Sequence, residues 1–318
     1  MPRMAPEAKI FVAGHTGLVG GAISRMLKAE GYTNLIEPGR KDVDLTRQSE
    51  VEAFFAVEKP EYVFLAAAKV GGIHANQSFP ADFIYQNMMI AANVIDAAWR
   101  NDCRKLQFLG SSCIYPRLAT QPISEGALLT SALEPTNEPY AIAKIAGLKL
   151  CEYYRKQYGF DAISLMPTNL YGPGDNFDLE TSHVIPALMR KAHEAKLSDA
   201  SHMSVWGTGT PRREFLHVDD LADAAVYLME HYSEDETINV GVGEDVTIKE
   251  LVELICDVVG FKGTLAFDTS KPDGTPRKML DIKRLQAVGW TPNTNFRDGL
   301  TATYNWFLEN IEQLRTAN

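Results

Sequence analysis

Short apolar runs alternate with longer segments of helical period through the first half of the chain. Residues 9–13, 34–37, 62–68, 106–111 and 162–167 read as strands, and residues 83–100 and 140–157 carry apolar positions at three- and four-residue spacing. Strands that alternate with helices predict an α/β fold, a Rossmann-type doubly wound parallel sheet covered on both faces, over residues 8–172. Beyond Tyr171-Gly172-Pro173-Gly174 the pattern changes to long loops marked by Pro and Gly at 206–211 and 271–276. This predicts a smaller substrate lobe over 173–318. Two later stretches, 217–230 and 248–259, are helical by period and are expected to return to the first domain, the return covering about 215–242. No internal repeat interrupts the chain.

The first strand runs directly into Gly14-His15-Thr16-Gly17-Leu18-Val19-Gly20, a glycine turn that opens an amphipathic helix. A strand, a turn of this kind and a helix start meet the condition for a dinucleotide site. Gly14 permits the turn, Gly17 lets backbone approach a pyrophosphate, and Gly20 lets the helix pack on the sheet. After the second strand, Arg40 stands where an NAD site usually carries a carboxylate. A guanidinium suits a ribose phosphate, so NADP is expected.

Twelve tyrosines lie along the chain, and only Tyr140 has a lysine, Lys144, four residues later. That spacing puts both on one helix face. With Ser111-Ser112-Cys113 about thirty residues upstream, the set reads as a carbonyl-reducing site in which the ammonium favours the phenolate. The pair alone is a weak signal; its context gives it weight. Ligands of such sheets collect beyond the carboxyl ends of the strands, where Gly14, Ser111, Thr168 and Asn169 all fall.

Composition removes several other classes. Of 318 residues 31 are basic and 41 acidic, a net charge of −10 without a Lys/Arg-rich run, so neither nucleic acid nor an anionic membrane is an expected partner. No apolar stretch approaches the ~18 residues of a membrane span, and Met1 to Pro6 lack a signal-peptide core, so a cytoplasmic protein is expected. Cys103, Cys113, Cys151 and Cys256 show no CxxC pairing and no histidine cluster accompanies them. Neither a metal nor a disulfide framework is expected.

The glycine turn, the serine and the Tyr140/Lys144 pair resemble the extended short-chain dehydrogenase/reductase superfamily. Longer strings at 65–73, 110–116, 134–144, 166–173, 182–186 and 213–220, among them Ser111-Ser112-Cys113, Met166-Pro167-Thr168-Asn169, Ser182-His183-Val184 and Arg213-Glu214-Phe215, resemble its GDP-4-keto-6-deoxymannose epimerase/reductases across nearly the whole chain. The resemblance implies a reductase triad of Ser111, Tyr140 and Lys144, with Cys113 and His183 as base and acid of epimerisation. It implies NADP(H) contacts from Gly14 to Gly20, at Arg40, Asp44 and Leu45, at Leu109, Gly110, Ser111 and Ser112, and at Lys144, Pro167, Thr168, Asn169, Leu170 and His183. Lys191, Trp206, Arg213 and Asp273 would contact the substrate, GDP-4-keto-6-deoxymannose. Thr16 departs from those family members that carry a second arginine in the turn, which leaves Arg40 as the main contact to the 2′-phosphate. Family members also pair as homodimers through the helices near 83–100 and 140–157, in a four-helix contact.

The chemistry implied is a 3,5-epimerisation followed by 4-reduction, yielding GDP-L-fucose. In a 4-keto sugar, carbons 3 and 5 both flank the ketone, so one site that polarises O4 acidifies both C–H bonds and prepares C4 for hydride. A Cys113 thiolate would take a proton, and His183, with an ordinary imidazole pKa, would return one. Read alone, Cys113 is a buried apolar-like residue and His183 a helix-start or surface histidine. Rival readings are another sugar-nucleotide 4,6-dehydratase or 4-epimerase of the superfamily, and a non-catalytic NADP-sensing module. Dehydratases place an acidic residue close after the active-site Ser/Thr, where this chain has Cys113; a sensor has no need of Ser111, Tyr140 and Lys144 together.

Overall fold

The computed structural model describes residues 3–179, 181–271 and 273–316; Met1, Pro2 and Pro272, which enter the leader and loop readings above, lie outside them. In chain order the elements are β1 (Ile10–Ala13), α1 (Leu18–Ala29), β2 (Leu35–Ile36), α2 (Gln48–Glu58), β3 (Tyr62–Leu65), α3 (Ile73–Ser78), α4 (Pro80–Arg100), β4 (Lys105–Leu109), α5 (Glu138–Tyr158) and β5 (Ala162–Pro167). Then follow β6 (Asn169–Tyr171), α6 (Val184–Leu197), β7 (His202–Trp206), β8 (Arg212–Arg213), β9 (Phe215–His217), α7 (Val218–His231) and β10 (Ile238–Val240). The last are β11 (Val246–Thr247), α8 (Ile248–Val259), β12 (Thr264–Asp268), β13 (Arg277–Lys278), α9 (Lys283–Val288) and α10 (Phe296–Thr316).

Six strands form one parallel sheet in the order β10-β5-β4-β3-β1-β2. Strands β1, β3, β4 and β5 are buried along their whole length. Helices on both faces make this possible, and it is why these strands read as apolar runs instead of alternating. The buried polar side chains of β4 send their donors to backbone carbonyls of the covering helix, while Gln107 Oε1 is left without a partner. Gln107 Nε2 donates to Ala225 O at 2.9 Å and Lys105 Nζ to Met229 O at 2.7 Å, where a cation meets the negative carboxyl end of α7.

Several boundaries differ from the periodic reading. The strand expected over 62–68 stops at Leu65, beyond which the backbone of Ala66 and Ala67 runs close against Gly14. The strand expected over 106–111 stops at Leu109, and Ser112–Ile114 form a short 3₁₀ turn instead. Helices α4 and α5 start before their apolar stripes, each with a proline in the first turn, where a missing N–H costs nothing.

The second core packs Tyr171, Phe177, Met189, Val205, Ile255 and Phe307. Residues of α7 and β10 join the first core, as do Leu280, Ile282, Leu285 and Trp290, a further return outside the expected 215–242. Helix α8 does not return. Its buried Leu251, Val252, Ile255 and Val259 belong to the second core, so the expectation for 248–259 is corrected: the period revealed a helix but not its partner. No helix among the described residues is long and apolar enough to cross a membrane.

A three-stranded sheet, β11-β8-β13, lies across the seam between the lobes. Asp245 fastens it, accepting from Arg212 Nε at 2.7 Å and from Arg277 Nε at 2.5 Å. Next to it, Glu214 is fully buried, with Oε1 accepting from the amides of Val242 and Gly243 and Oε2 from that of Leu280. A buried carboxylate persists only with such partners.

Candidate active site

A cavity of about 1400 Å³ opens between the carboxyl ends of the sheet strands and the second lobe. Every residue expected from the sequence to touch cofactor or substrate lines it, including Thr16, Leu18, Asp44, Leu45, Pro167, Leu170, Lys191 and Asp273.

At one end β1 turns into α1. Gly14 has φ of +86°, and a Cβ there would lie 2.8 Å from Ala67 backbone. At Gly20 the approach is closer still: a Cβ would sit 2.2 Å from Gly14 O. No side chain caps α1 at Gly17, so its first amides stay available for an anion, and the buried His15 Nδ1 has no hydrogen-bond partner. Arg40 reaches the rim with 73% of its side chain exposed, 3.9 Å from Asp44 Oδ2. The Asp44 carboxyl lies below the usual range, held chiefly by the Thr46 amide and hydroxyl.

At the end of β4, Ser111 begins the 3₁₀ turn and its Oγ accepts the Cys113 amide at 3.2 Å. Tyr140 and Lys144 project from the first turns of α5. Lys144 is buried, donates to Leu109 O at 2.7 Å, and lies 5.0 Å from the Phe108 ring centroid and 5.8 Å from that of Tyr140. The shared face is therefore real, but the electrostatic expectation is corrected. Burial pushes the Tyr140 phenol up, the charge of Cys113 adds to this, and a hydrogen bond with Ser111 opposes it only in part. Lys144, itself driven down to about 8 by burial, does not offset that desolvation. Tyr140 thus rests as a protonated donor.

Cys113 behaves in the opposite sense. Burial alone would raise its thiol, yet the charge of Lys278, with hydrogen bonds from Ser111, Lys278 and Asn137, holds it below the ordinary range. His183 is exposed into the cavity as the residue before α6. The protein packed around its ring, and then Lys278, lower its pKa, which replaces the ordinary value expected from the sequence. The imidazole rests neutral, and its protonated form surrenders a proton readily.

The second lobe supplies a different surface. Trp206 is 60% exposed, with Lys191 Nζ 5.1 Å and Lys271 Nζ 5.3 Å from its ring centroid. Arg213 lies across β8, and Asp273 accepts from Thr208 N at 2.7 Å and Thr208 Oγ1 at 2.8 Å. Three further residues were not legible in the sequence. Asn137 precedes α5, with a buried Oδ1 that has no partner. Asp175 is buried in the loop after β6 with Oδ2 unpaired, and burial pushes it up to about 7. Lys278 donates to Cys113 Sγ at 3.3 Å across 165 residues of chain. A doublet of small and acidic residues before Asn176 offered no signal, and neither did a lysine just after a Pro-marked loop.

A phosphate-sized glycine turn on the first strand of a parallel sheet, with serine, tyrosine and lysine gathered at the strand ends, defines a dinucleotide-dependent oxidoreductase of the short-chain dehydrogenase/reductase type. The chain belongs to the NAD dependent epimerase/dehydratase family, whose sequence model matches residues 10–241, and within it to the GDP-L-fucose synthases. It is 62% identical over 305 residues to GDP-L-fucose synthase 1 of Arabidopsis thaliana, spanning 96% of this chain and 94% of that protein. It is 56% identical over 318 residues to GDP-L-fucose synthase of Escherichia coli K12, spanning 97% and 99%. A solved GDP-L-fucose synthetase from Naegleria fowleri bound to NADP aligns with a TM-score of 0.90 at 31% identity, over 98% of this chain and 97% of that one.

Proposed function

We propose that this chain converts GDP-4-keto-6-deoxy-D-mannose to GDP-L-fucose with NADPH, as a 3,5-epimerase and 4-reductase. The observation that carries the reading is the Cys113 thiol, two residues beyond Ser111, 3.3 Å from the Lys278 ammonium and open to the same cavity as Tyr140, Lys144 and His183. The GDP-L-fucose synthases to which the chain is similar support it.

The dinucleotide fits the residues present, on the evidence of a turn with no room for side chains at Gly14 and Gly20 and an uncapped helix start beside the buried His15 Nδ1, which has no hydrogen-bond partner. Gly14 to Gly20 would hold the pyrophosphate, Arg40 the 2′-phosphate and Lys144 the nicotinamide ribose. When bound there, NADPH supplies hydride to C4.

The protein's own groups do the rest. Ser111 and Tyr140 donate to O4 and stabilise the charge that grows on it. At C3 and then at C5, Cys113 takes the proton and His183 delivers one to the opposite face, and between the two inversions the thiol gives its proton to solvent and the imidazole takes one up. Tyr140, kept protonated by its surroundings, then gives its proton to O4. Trp206, Lys191, Arg213 and Asp273 hold the nucleotide part of the substrate, a stacking ring flanked by cations that suits a base and a diphosphate.

The test is incubation with GDP-4-keto-6-deoxymannose and NADPH, followed by product stereochemistry. GDP-L-fucose is expected. NADPH oxidation without inversion at C3 and C5 would reduce the reading to a plain 4-reductase, and no oxidation would sink it.

Two finer proposals accompany this one. Tyr85 and Met88 on α4 and Ile142 and Tyr153 on α5 are exposed apolar groups on helices that pack on each other, which supports a homodimer closed by a four-helix contact. Sedimentation at equilibrium tests it, and a monomer at micromolar concentration would overturn it. Four free cysteines, one of them a working thiolate, suit a reducing compartment and support a cytoplasmic location.

A further inference from the structure

Lys278 lies on β13, outside the sequence motifs, and its ammonium donates to Cys113 Sγ at 3.3 Å. Its backbone is fixed on both sides. Arg277 is tied to Asp245, Met279 N donates to Gln121 Oε1 at 2.9 Å, Leu280 N donates to Glu214 Oε2, and Lys278 O accepts from Glu214 N at 3.3 Å. Lys278 also pairs in register with Arg213 on β8. The long side chain carried by this held strand ends at the thiol.

The other groups around Cys113 do not substitute for this cation. Ser111, on the same turn, and Asn137, at the start of α5, are neutral hydrogen-bonding groups. Tyr140 on α5 is a protonated phenol. Lys144 spends one N–H on Leu109 O. Arg213 on β8 feels the thiolate but turns Nη1 to Arg212 O at 2.8 Å. His183, before α6, is itself depressed by Lys278.

We propose that Lys278 is the positioning residue of the epimerisation base: its ammonium holds Cys113 as the thiolate and fixes where that sulfur sits at the cavity wall. This rests on the epimerase reading above. It also assigns the two steps to different lobes of support. The reductase hydroxyls, Ser111 and Tyr140, stand on the first domain alone, whereas the base is charged by a strand delivered from the substrate side. The direction of the Cys113 shift agrees with this, since the Lys278 charge is the largest influence opposing burial.

The experiment is the pH dependence of iodoacetamide alkylation of the full chain without sugar, for the wild type, Lys278→Met and Lys278→Arg. Cys113→Ser supplies the background from the three buried cysteines. In Lys278→Met the inflection should rise by about 1 to 3 on the pH scale, the range a neighbouring opposite charge produces, and alkylation at pH 7 should fall roughly tenfold or more. Lys278→Arg should restore most of it. Deuterium entry at C3 and C5 should fall in kcat with little change in KM, while NADP(H) affinity, which also reports folding, stays at the wild-type value. An inflection unmoved in Lys278→Met, or displaced equally in Lys278→Arg, overturns the proposal whichever sugar the site takes. A moved inflection with no deuterium exchange supports the lysine and counts against the proposed sugar.

Discussion

The two sides of the cavity are assembled differently. The first domain presents Gly14 and Ser111 from strand ends and Tyr140 and Lys144 from one face of a helix packed on the same sheet, all within a single run of the chain. The second side is stitched from separate returns: α6 brings Lys191, β7 brings Trp206, β8 brings Arg213, the β12–β13 connection brings Asp273, and β13 brings Lys278. A parallel sheet covered on both faces holds its strand ends rigidly, so it can carry groups that must meet reacting atoms within tenths of an ångström. Loops and two-residue strands suit recognition, where binding tolerates adjustment. Substitutions on the sheet side should therefore act on chemistry, and those on the loop side on affinity, with Lys278 the exception that reaches from one to the other.

The strongest test of that division is Tyr140→Phe. The ring stays and the proton donor goes, so hydride transfer should fall about 10²- to 10⁴-fold, the usual value of a general acid, while NADPH still binds. Single-turnover absorbance and a fluorescence titration read the two quantities, and near-normal turnover would remove Tyr140 from the reductase set. Cys113→Ala should abolish deuterium exchange at C3 and C5 in heavy water but leave slow reduction of the unepimerised ketone. Exchange at the wild-type rate would return the cysteine to a packing role. On the loop side, Trp206→Ala should raise KM roughly five- to 150-fold, since stacking a base on an aromatic ring is worth about 1–3 kcal/mol, with kcat nearly kept. A collapse of kcat instead would break the division.

Arg40→Ala probes the rim of the sheet side. A hydrogen bond to a charged group contributes about 1.5–3 kcal/mol, so the preference for NADPH over NADH should fall about ten- to a hundredfold. Unchanged discrimination would take Arg40 out of the site. The smallest effect concerns Asp175, buried between the two sides. Its folded pKa is raised to about 7, above an unfolded value near ~3.9, so the folded state binds the extra proton and stability declines as pH rises through that window. Asp175→Asn lacks this titration. Its melting temperature relative to wild type should climb from pH 5 to pH 7 and level off above, and a gap that stays constant would show that Asp175 does not titrate there.

Much of the sheet side was legible because its signals are local. A glycine turn must follow a strand and precede a helix, and Tyr140 and Lys144 share a face by helical geometry, whatever the rest of the chain does. Burial inverted the meaning of that pair: the desolvated phenol rises, and the lysine beside it is too desolvated itself to reverse this. Helix α8 shows the same limit in packing. Its stripe of Leu251, Ile255 and Val259 requires an apolar partner, but nothing in a period says which core provides it.

Residue order therefore determined five strands of the main sheet, the long helices between them, the glycine turn and the shared face of Tyr140 and Lys144, because each depends on neighbours within a few residues. The tertiary structure alone decided which core each returning segment joins, which groups keep their protons, and which cation faces Cys113. Those depend on desolvation and on charges brought together across as many as 165 residues, and a contact of that span leaves no spacing in the chain by which to read it.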